Sequence, residues 1–168
     1  EGRFVLAFVG RLDRQKGVDT LLEAAAMLSG RGRLARIVIA GDGPQRALVE
    51  RFQVAGRGRD KLVFLGHSED VPGVLSAADA LAMPSRWEGF GLAAAEAMAA
   101  GLPVIASRVA GLRDVVADGA TGIMIEKESP AALAGAVERL MDDPDHARGL
   151  GRAGRIDVRE VCEAFECG

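Results

Sequence analysis

Cysteine is nearly absent from this 168-residue chain: Cys162 and Cys167, both within the last seven positions, are the only two. Such a pair makes neither a disulfide framework nor a metal array, and a reducing cytoplasm is the default expectation. Histidine is as scarce. His67 has no metal-ligand partner at usable spacing and reads as loop surface, and His146 reads as an exposed helix residue. No run of 18 or more apolar residues occurs, so no segment reads as a membrane span. The opening Glu1-Gly2-Arg3-Phe4 lacks the basic-then-apolar pattern of a signal peptide and enters a strand almost at once, as an excised piece of a longer chain would. A net charge of −3 argues against nucleic-acid or membrane binding through bulk electrostatics. No G-x-G-x-x-G follows the first strand and no Walker A sequence is present, which argues against a dinucleotide fingerprint and an NTPase.

What the chain does have is an ordinary globular balance, 49% apolar and 27% charged residues, together with 22 glycines. Short apolar runs at 4–9, 36–40, 61–65, 80–83, 103–106 and 122–125 alternate with helix-period segments. Runs that are apolar throughout, rather than alternating, suit strands covered on both faces. Leu21, Leu22, Ala25 and Leu28 recur at helical spacing, as do Leu48, Phe52 and Ala55; further helices are expected over 92–100 and 131–141. Ser129-Pro130 suits the start of the last of these. The expected fold class is α/β: a Rossmann-like, doubly wound domain of about six parallel strands.

In such sheets ligands bind beyond the carboxyl ends of the strands, and here those ends combine glycine with polar or charged residues. They read Gly10-Arg11-Leu12-Asp13-Arg14-Gln15-Lys16-Gly17, Gly41-Asp42-Gly43-Pro44, Gly66-His67-Ser68, Pro84-Ser85-Arg86-Trp87-Glu88-Gly89-Phe90-Gly91 and Ser107-Arg108-Val109-Ala110-Gly111. Arg11 and Lys16 are two cations suited to a diphosphate leaving group, whose negative charge grows as its bond to a sugar breaks. Gly10 and Gly17 would allow close backbone approach. The plainer reading of this loop is a solvated basic turn, and Arg14 reads as surface. Glu96 stands in a helix of small apolar residues; a carboxylate there either finds paired donors such as a ribose diol or faces solvent. Glu88 precedes Gly89-Phe90-Gly91, whose backbone N–H groups open a helix and suit an anion. It would accept from sugar hydroxyls, or alternatively pair locally with Arg86. Gly41, Gly43, Leu65 and Gly66 suit a flat base held between strand ends, although glycine turns are common there. Trp87 reads as packing beside its turn and Asp118-Gly119 as a plain turn.

Taken in order over residues 4–150, these segments resemble the retaining glycosyltransferases of family four (group 1), which have the two-domain GT-B architecture. The carriers are Gly10-Arg11-Leu12…Lys16-Gly17, Ile39-Ala40-Gly41-Asp42-Gly43-Pro44, Val63-Phe64-Leu65-Gly66, Pro84-Ser85…Glu88-Gly89-Phe90-Gly91-Leu92…Glu96-Ala97, Gly101-Leu102-Pro103-Val104-Ile105-Ala106-Ser107 and Asp118-Gly119…Thr121-Gly122. The resemblance implies a donor-binding domain over 1–155, one half of a GT-B enzyme, and a tail over 156–168 only partly like the family's closing helix. An N-terminal acceptor domain is then missing from this chain, and it would be the route of any peripheral membrane association. It implies transfer of a hexose-type sugar from a nucleotide-diphosphate sugar with retention of anomeric configuration, without cofactor or metal. Arg11 and Lys16 would hold the diphosphate, Glu88 would contact the transferred sugar and Glu96 the ribose. Backbone groups at Gly89, Phe90, Gly91 and Leu92 would meet sugar and phosphate, and Gly10, Gly41, Gly43, Leu65 and Gly66 would frame the rest of the donor. The isolated fragment is expected to be inactive. Two positions depart from the family pattern: Ala110 where glycine is usual and Ala93 where proline is common. The alternatives are a non-catalytic nucleotide-binding module and a nucleotide-sugar epimerase on a GT-B-like frame.

Overall fold

The computed structural model describes residues 4–33, 35–55 and 62–166, with side chains as far as residue 158. Six strands and seven helices follow one another in these residues. The strands are β1 (Phe4–Val9), β2 (Ala35–Ala40), β3 (Leu62–Gly66), β4 (Ala80–Met83), β5 (Val104–Ser107) and β6 (Gly122–Ile125). The helices are α1 (Val18–Gly30), α2 (Arg46–Val54), α3 (Val71–Ser76), α4 (Leu92–Ala99), α5 (Ala110–Arg113), α6 (Pro130–Asp142) and α7 (Pro144–Glu166). The sheet order is β3-β2-β1-β4-β5-β6, and every pairing is parallel. The direction of winding therefore reverses between β1 and β4, which is the switch point of a Rossmann-like, doubly wound domain.

Side chains alternate across a strand, so each strand feeds two cores. Leu6, Phe8, Ile37, Ile39, Ala80, Ala82, Ile105, Ile123 and Ile125 point to one face and pack with Leu21, Leu28, Leu133 and Val137 of α1 and α6. Ala7, Leu81, Met83, Val104, Ala106 and Met124 point to the other and pack with Ala94, Ala97 and Met98 of α4. All of β4, β5 and β6 is buried, which is why those runs carry no polar alternation. In α1 the residues expected from spacing are the buried ones, with Ala25 only half-buried. In α2 the buried residue is instead Val49; Leu48 and Phe52 are half-buried, and Ala55 lies just past the helix end.

Three helix starts are capped by side chains, that of α7 by Asp143 Oδ1, which accepts from His146 N at 2.9 Å. Ser129 Oγ accepts from Ala132 N at 3.2 Å with Pro130 in the first turn, as the Ser129-Pro130 pattern predicts. Asp70 Oδ1 accepts from Gly73 N at 2.8 Å and starts α3. The fifth strand begins at Val104 rather than Pro103, whose missing N–H removes one ladder bond. Lys61, expected to open β3, lies outside the described residues. The last helix runs unbroken through the expected boundary at 155. Among the described residues, no helix is long and apolar enough to cross a membrane.

Candidate donor site at the switch point

The loops after β1, β2, β3 and β4 meet at the carboxyl edge of the sheet, and backbone hydrogen bonds stitch them together. Gly10 N donates to Ala40 O (3.0 Å), Leu12 N to Asp42 O (2.9 Å), Gln45 N to Leu12 O (2.8 Å) and Gly41 N to Gly66 O (2.7 Å). The β2–β3 register slips between Ile39 and Ala40: Ile39 pairs with Phe64, and Ala40 with Gly66. Leu65 is thus the unpaired residue of a bulge and is 47% exposed, and a bulge of this kind re-aims a strand end. Gly10, Gly41, Gly43 and Gly66 lie in this stitched segment, where the sequence suggests a frame for a base.

A second join links the β1–α1 loop to the segment after β4. Gly17, with φ +69°, starts α1, and a Cβ on it would lie 2.1 Å from Pro84 O. Only glycine satisfies both the left-handed backbone and that approach. Arg86 N donates to Gln15 O at 2.7 Å. Held so closely, the two loops put Lys16 Nζ 2.5 Å from Glu88 Oε2. The Glu88 side chain is only 9% exposed and that of Lys16 21%. Ser85 Oγ, on a buried residue, donates to the same Glu88 oxygen at 3.4 Å, and Gly89 N donates to Oε1 at 3.2 Å. A carboxylate this sheltered needs a cation and donors around it, and it has them.

The other expected site residues stand more openly. Arg11 is 74% exposed along its side chain and pairs with Asp13, Nε to Oδ2 3.3 Å, rather than with Glu88. Glu96 is exposed on α4, one turn beyond Leu92 on the same face. The Gly89-Phe90-Gly91 turn leads into α4 with Gly91 left-handed at φ +70°. Phe90 and Leu92 beside it are 71% and 64% exposed. Gly111 closes the turn from the β5 side: a Cβ on it would lie 2.3 Å from Gly89 O and 2.5 Å from Glu88 O. The structure therefore joins Lys16 to Glu88 directly and leaves Arg11 and Glu96 as exposed charges on neighbouring elements.

Several residues of this edge behave differently from their reading in the sequence. Arg86 does not serve Glu88. Its Nη1 and Nη2 donate to the two carboxylate oxygens of Asp19 (2.9 and 2.7 Å), its Nε to Glu128 (2.7 Å), and Nη1 also to Arg14 O (2.9 Å). The Arg86 guanidinium holds the Asp19 carboxyl below the usual carboxylate range against the opposing effect of burial, and lowers Glu128 likewise. The Arg86 pKa is itself raised, chiefly by its hydrogen bonds to Asp19, so it stays charged. Trp87 is 53% exposed rather than packed beside its turn. Asp118 is more than a plain turn: Oδ1 accepts from Met124 N (2.9 Å) and Oδ2 from Arg108 Nη2 (2.8 Å), and these bonds lower its pKa in that order. Asp19 and Glu128 carried no signal in the sequence, because their partner Arg86 lies 67 and 42 positions away, and the lone hydroxyl of Ser85 gave no sign that it serves Glu88 three positions on.

The family model for glycosyl transferases group 1 matches residues 1–157. The chain belongs to that family. Among curated relatives, this group 1 domain is 39% identical to an alpha-D-kanosaminyltransferase of Streptomyces kanamyceticus over 149 residues, 86% of this chain and 38% of the relative. It is 40% identical to a 2-deoxystreptamine glucosyltransferase of the same organism, over 92% of this chain and 41% of the relative. It thus spans about two fifths of the length of these relatives. Among solved structures, the C-terminal domain of a group 1 glycosyl transferase family protein (LpcC) from Francisella tularensis superposes with a TM-score of 0.81 at 26% identity, covering 94% of this chain and 85% of that one. The six-stranded parallel fold is that of one Rossmann-like half of the GT-B architecture.

Proposed function

We propose that this domain binds the nucleotide-diphosphate sugar of a glycosyltransferase that moves a hexose-type sugar to an acceptor with retention of configuration. The reading rests above all on the Lys16–Glu88 contact at 2.5 Å across the switch point, where a cation and a carboxylate from separate loops meet beside a glycine-rich helix start. In this account Lys16 turns from Glu88 to the donor diphosphate, and Arg11, free to swing from the surface, reaches the same phosphates. Both stabilise the leaving group as it gains charge. Glu88, held by Ser85, faces the hydroxyls of the transferred sugar, and the amides of Phe90, Gly91 and Leu92 meet sugar and phosphate. Glu96 binds the ribose diol, and Gly41, Gly43, Leu65 and Gly66 frame the base. A relative named a glucosyltransferase at 40% identity favours a hexose donor. The acceptor would lie with a further domain of the whole protein, so this domain alone binds without turnover.

Titration calorimetry of the folded 168-residue chain with UDP, GDP and ADP tests the proposal. Saturable binding of at least one is expected, unchanged by a metal chelator because the charge is met by side chains. Binding of none would remove the basis for the reading. Glu96→Ala should weaken nucleoside and nucleoside diphosphate alike, since the ribose is common to both.

A further inference from the structure

The guanidinium of Arg86 makes hydrogen bonds to three separate segments, although its side chain is 13% exposed. Two of these bonds bind it to Asp19 in the first turn of α1, one to Glu128 just before α6 and one to the carbonyl of Arg14. Its own backbone N–H holds the carbonyl of Gln15. The consecutive carbonyls of residues 14 and 15 are thus gripped from one side by one residue, and the next residue in the chain is Lys16. Asp13 completes the clamp, its Oδ1 accepting from Lys16 N at 3.1 Å. The Lys16 ammonium in turn meets Glu88, two positions beyond Arg86.

We propose that Arg86 is a positioning residue for Lys16: it anchors the 14–16 backbone and α1 to the segment after β4, and so presents the ammonium group where a donor diphosphate would sit. The inference rests on the donor-site reading above and adds a residue that touches no part of the donor. A planar fork suits the task, because one guanidinium can bridge a carboxylate with two parallel bonds and still donate elsewhere. A lysine at 86 keeps the charge but cannot make the two parallel bonds to Asp19. The effect on the ligand is indirect: with the clamp gone, Lys16 must be ordered when the diphosphate binds, and that ordering weakens binding.

A double-mutant cycle separates this role from a general contribution to folding. Lys16→Ala, Arg86→Ala and the double variant are titrated with whichever of UDP, GDP and ADP the unaltered chain binds, and with the parent nucleoside. Arg108→Ala serves as control, because Arg108 follows β5 and, among the described residues, its side chain pairs only with Asp118 and Glu126. Arg86→Ala should weaken the diphosphate at least about tenfold, as loss of one charge-assisted phosphate contact does. It should leave the nucleoside within about twofold and add nothing once Lys16 is gone. Arg86→Lys, which preserves charge and is the variant used if the alanine form does not fold, should fall between. Losses that multiply in the double variant, equal losses for nucleoside and diphosphate, or an effect no larger than that of Arg108→Ala would overturn the positioning role while leaving the donor site intact. An unaltered chain that binds no diphosphate would instead sink the donor reading and this inference together.

Discussion

Two arginines stand at the carboxyl ends of adjacent strands, and they sit in very different surroundings. Arg86, after β4, is 13% exposed and bonds to α1, to the β1–α1 loop and to Glu128 just ahead of α6. Arg108, after β5, is 41% exposed and among the described residues pairs only with Asp118 and, at 3.6 Å, Glu126. Both carry the same charge on the same edge of one sheet. The difference is what each joins. The β4 end lies at the switch point, where elements distant in sequence converge and a side chain can bridge them. The β5 end lies beyond it, with its neighbours close by in the chain. A guanidinium linking separate elements sets their geometry; one pairing along the surface contributes little.

Substitutions sharpen that contrast, and the largest effect belongs to Gly17. An alanine there must adopt a left-handed backbone, at about 1–2 kcal/mol, and would drive its methyl group into the Pro84 carbonyl. Gly17→Ala should therefore lose about 3 kcal/mol or more, a drop in Tm of roughly 6 °C or more for a domain this size. A variant melting with the unaltered chain would mean the loops after β1 and β4 are not pressed together as described. Next, Arg86→Ala should cost about 2 kcal/mol and Arg108→Ala at most about 1 kcal/mol, both read from urea midpoints. Equal costs would erase the distinction between the two ends.

The smallest effect concerns pH. Arg86 depresses the Asp19 pKa, so the folded state binds a proton at Asp19 less readily than the unfolded chain does. That stabilisation is complete above the unfolded-state value of about 3.9 and is lost as pH falls through the lower folded-state value. Asp19→Asn should be less stable than the unaltered chain at pH 7, with the gap closing below about pH 4. A gap that persists undiminished at the lowest pH at which both fold would show that Asp19 is not held ionised by Arg86.

Much of this was legible in the sequence, for physical reasons that differ from element to element. The strands at 80–83 and 122–125 were readable because burial on both faces leaves an uninterrupted apolar run. The β1–α1 loop was readable because glycine marks a place of close backbone approach, as at Gly17. What the spacing could not show was pairing across the fold. Asp19 and Arg86 are 67 positions apart, and nothing local marks either as the other's partner, so the sequence offers Arg86 only its near neighbour Glu88, as an alternative reading. The Glu96 helix, built of small residues on every side, offered no amphipathic signal to tell its open face. Asp118 likewise looked like a simple turn, because an aspartate before glycine usually is one; the Met124 amide it holds becomes its partner only once β6 has formed.

The claim most open to direct trial is that Lys16 meets phosphate while the rest of the edge meets the nucleoside. Calorimetric titration of Lys16→Ala with a nucleoside diphosphate and with its parent nucleoside measures it. The account predicts a loss of on the order of 1.5–3 kcal/mol for the diphosphate and almost none for the nucleoside. Equal losses for the two ligands, or an unchanged affinity for the diphosphate, would contradict it.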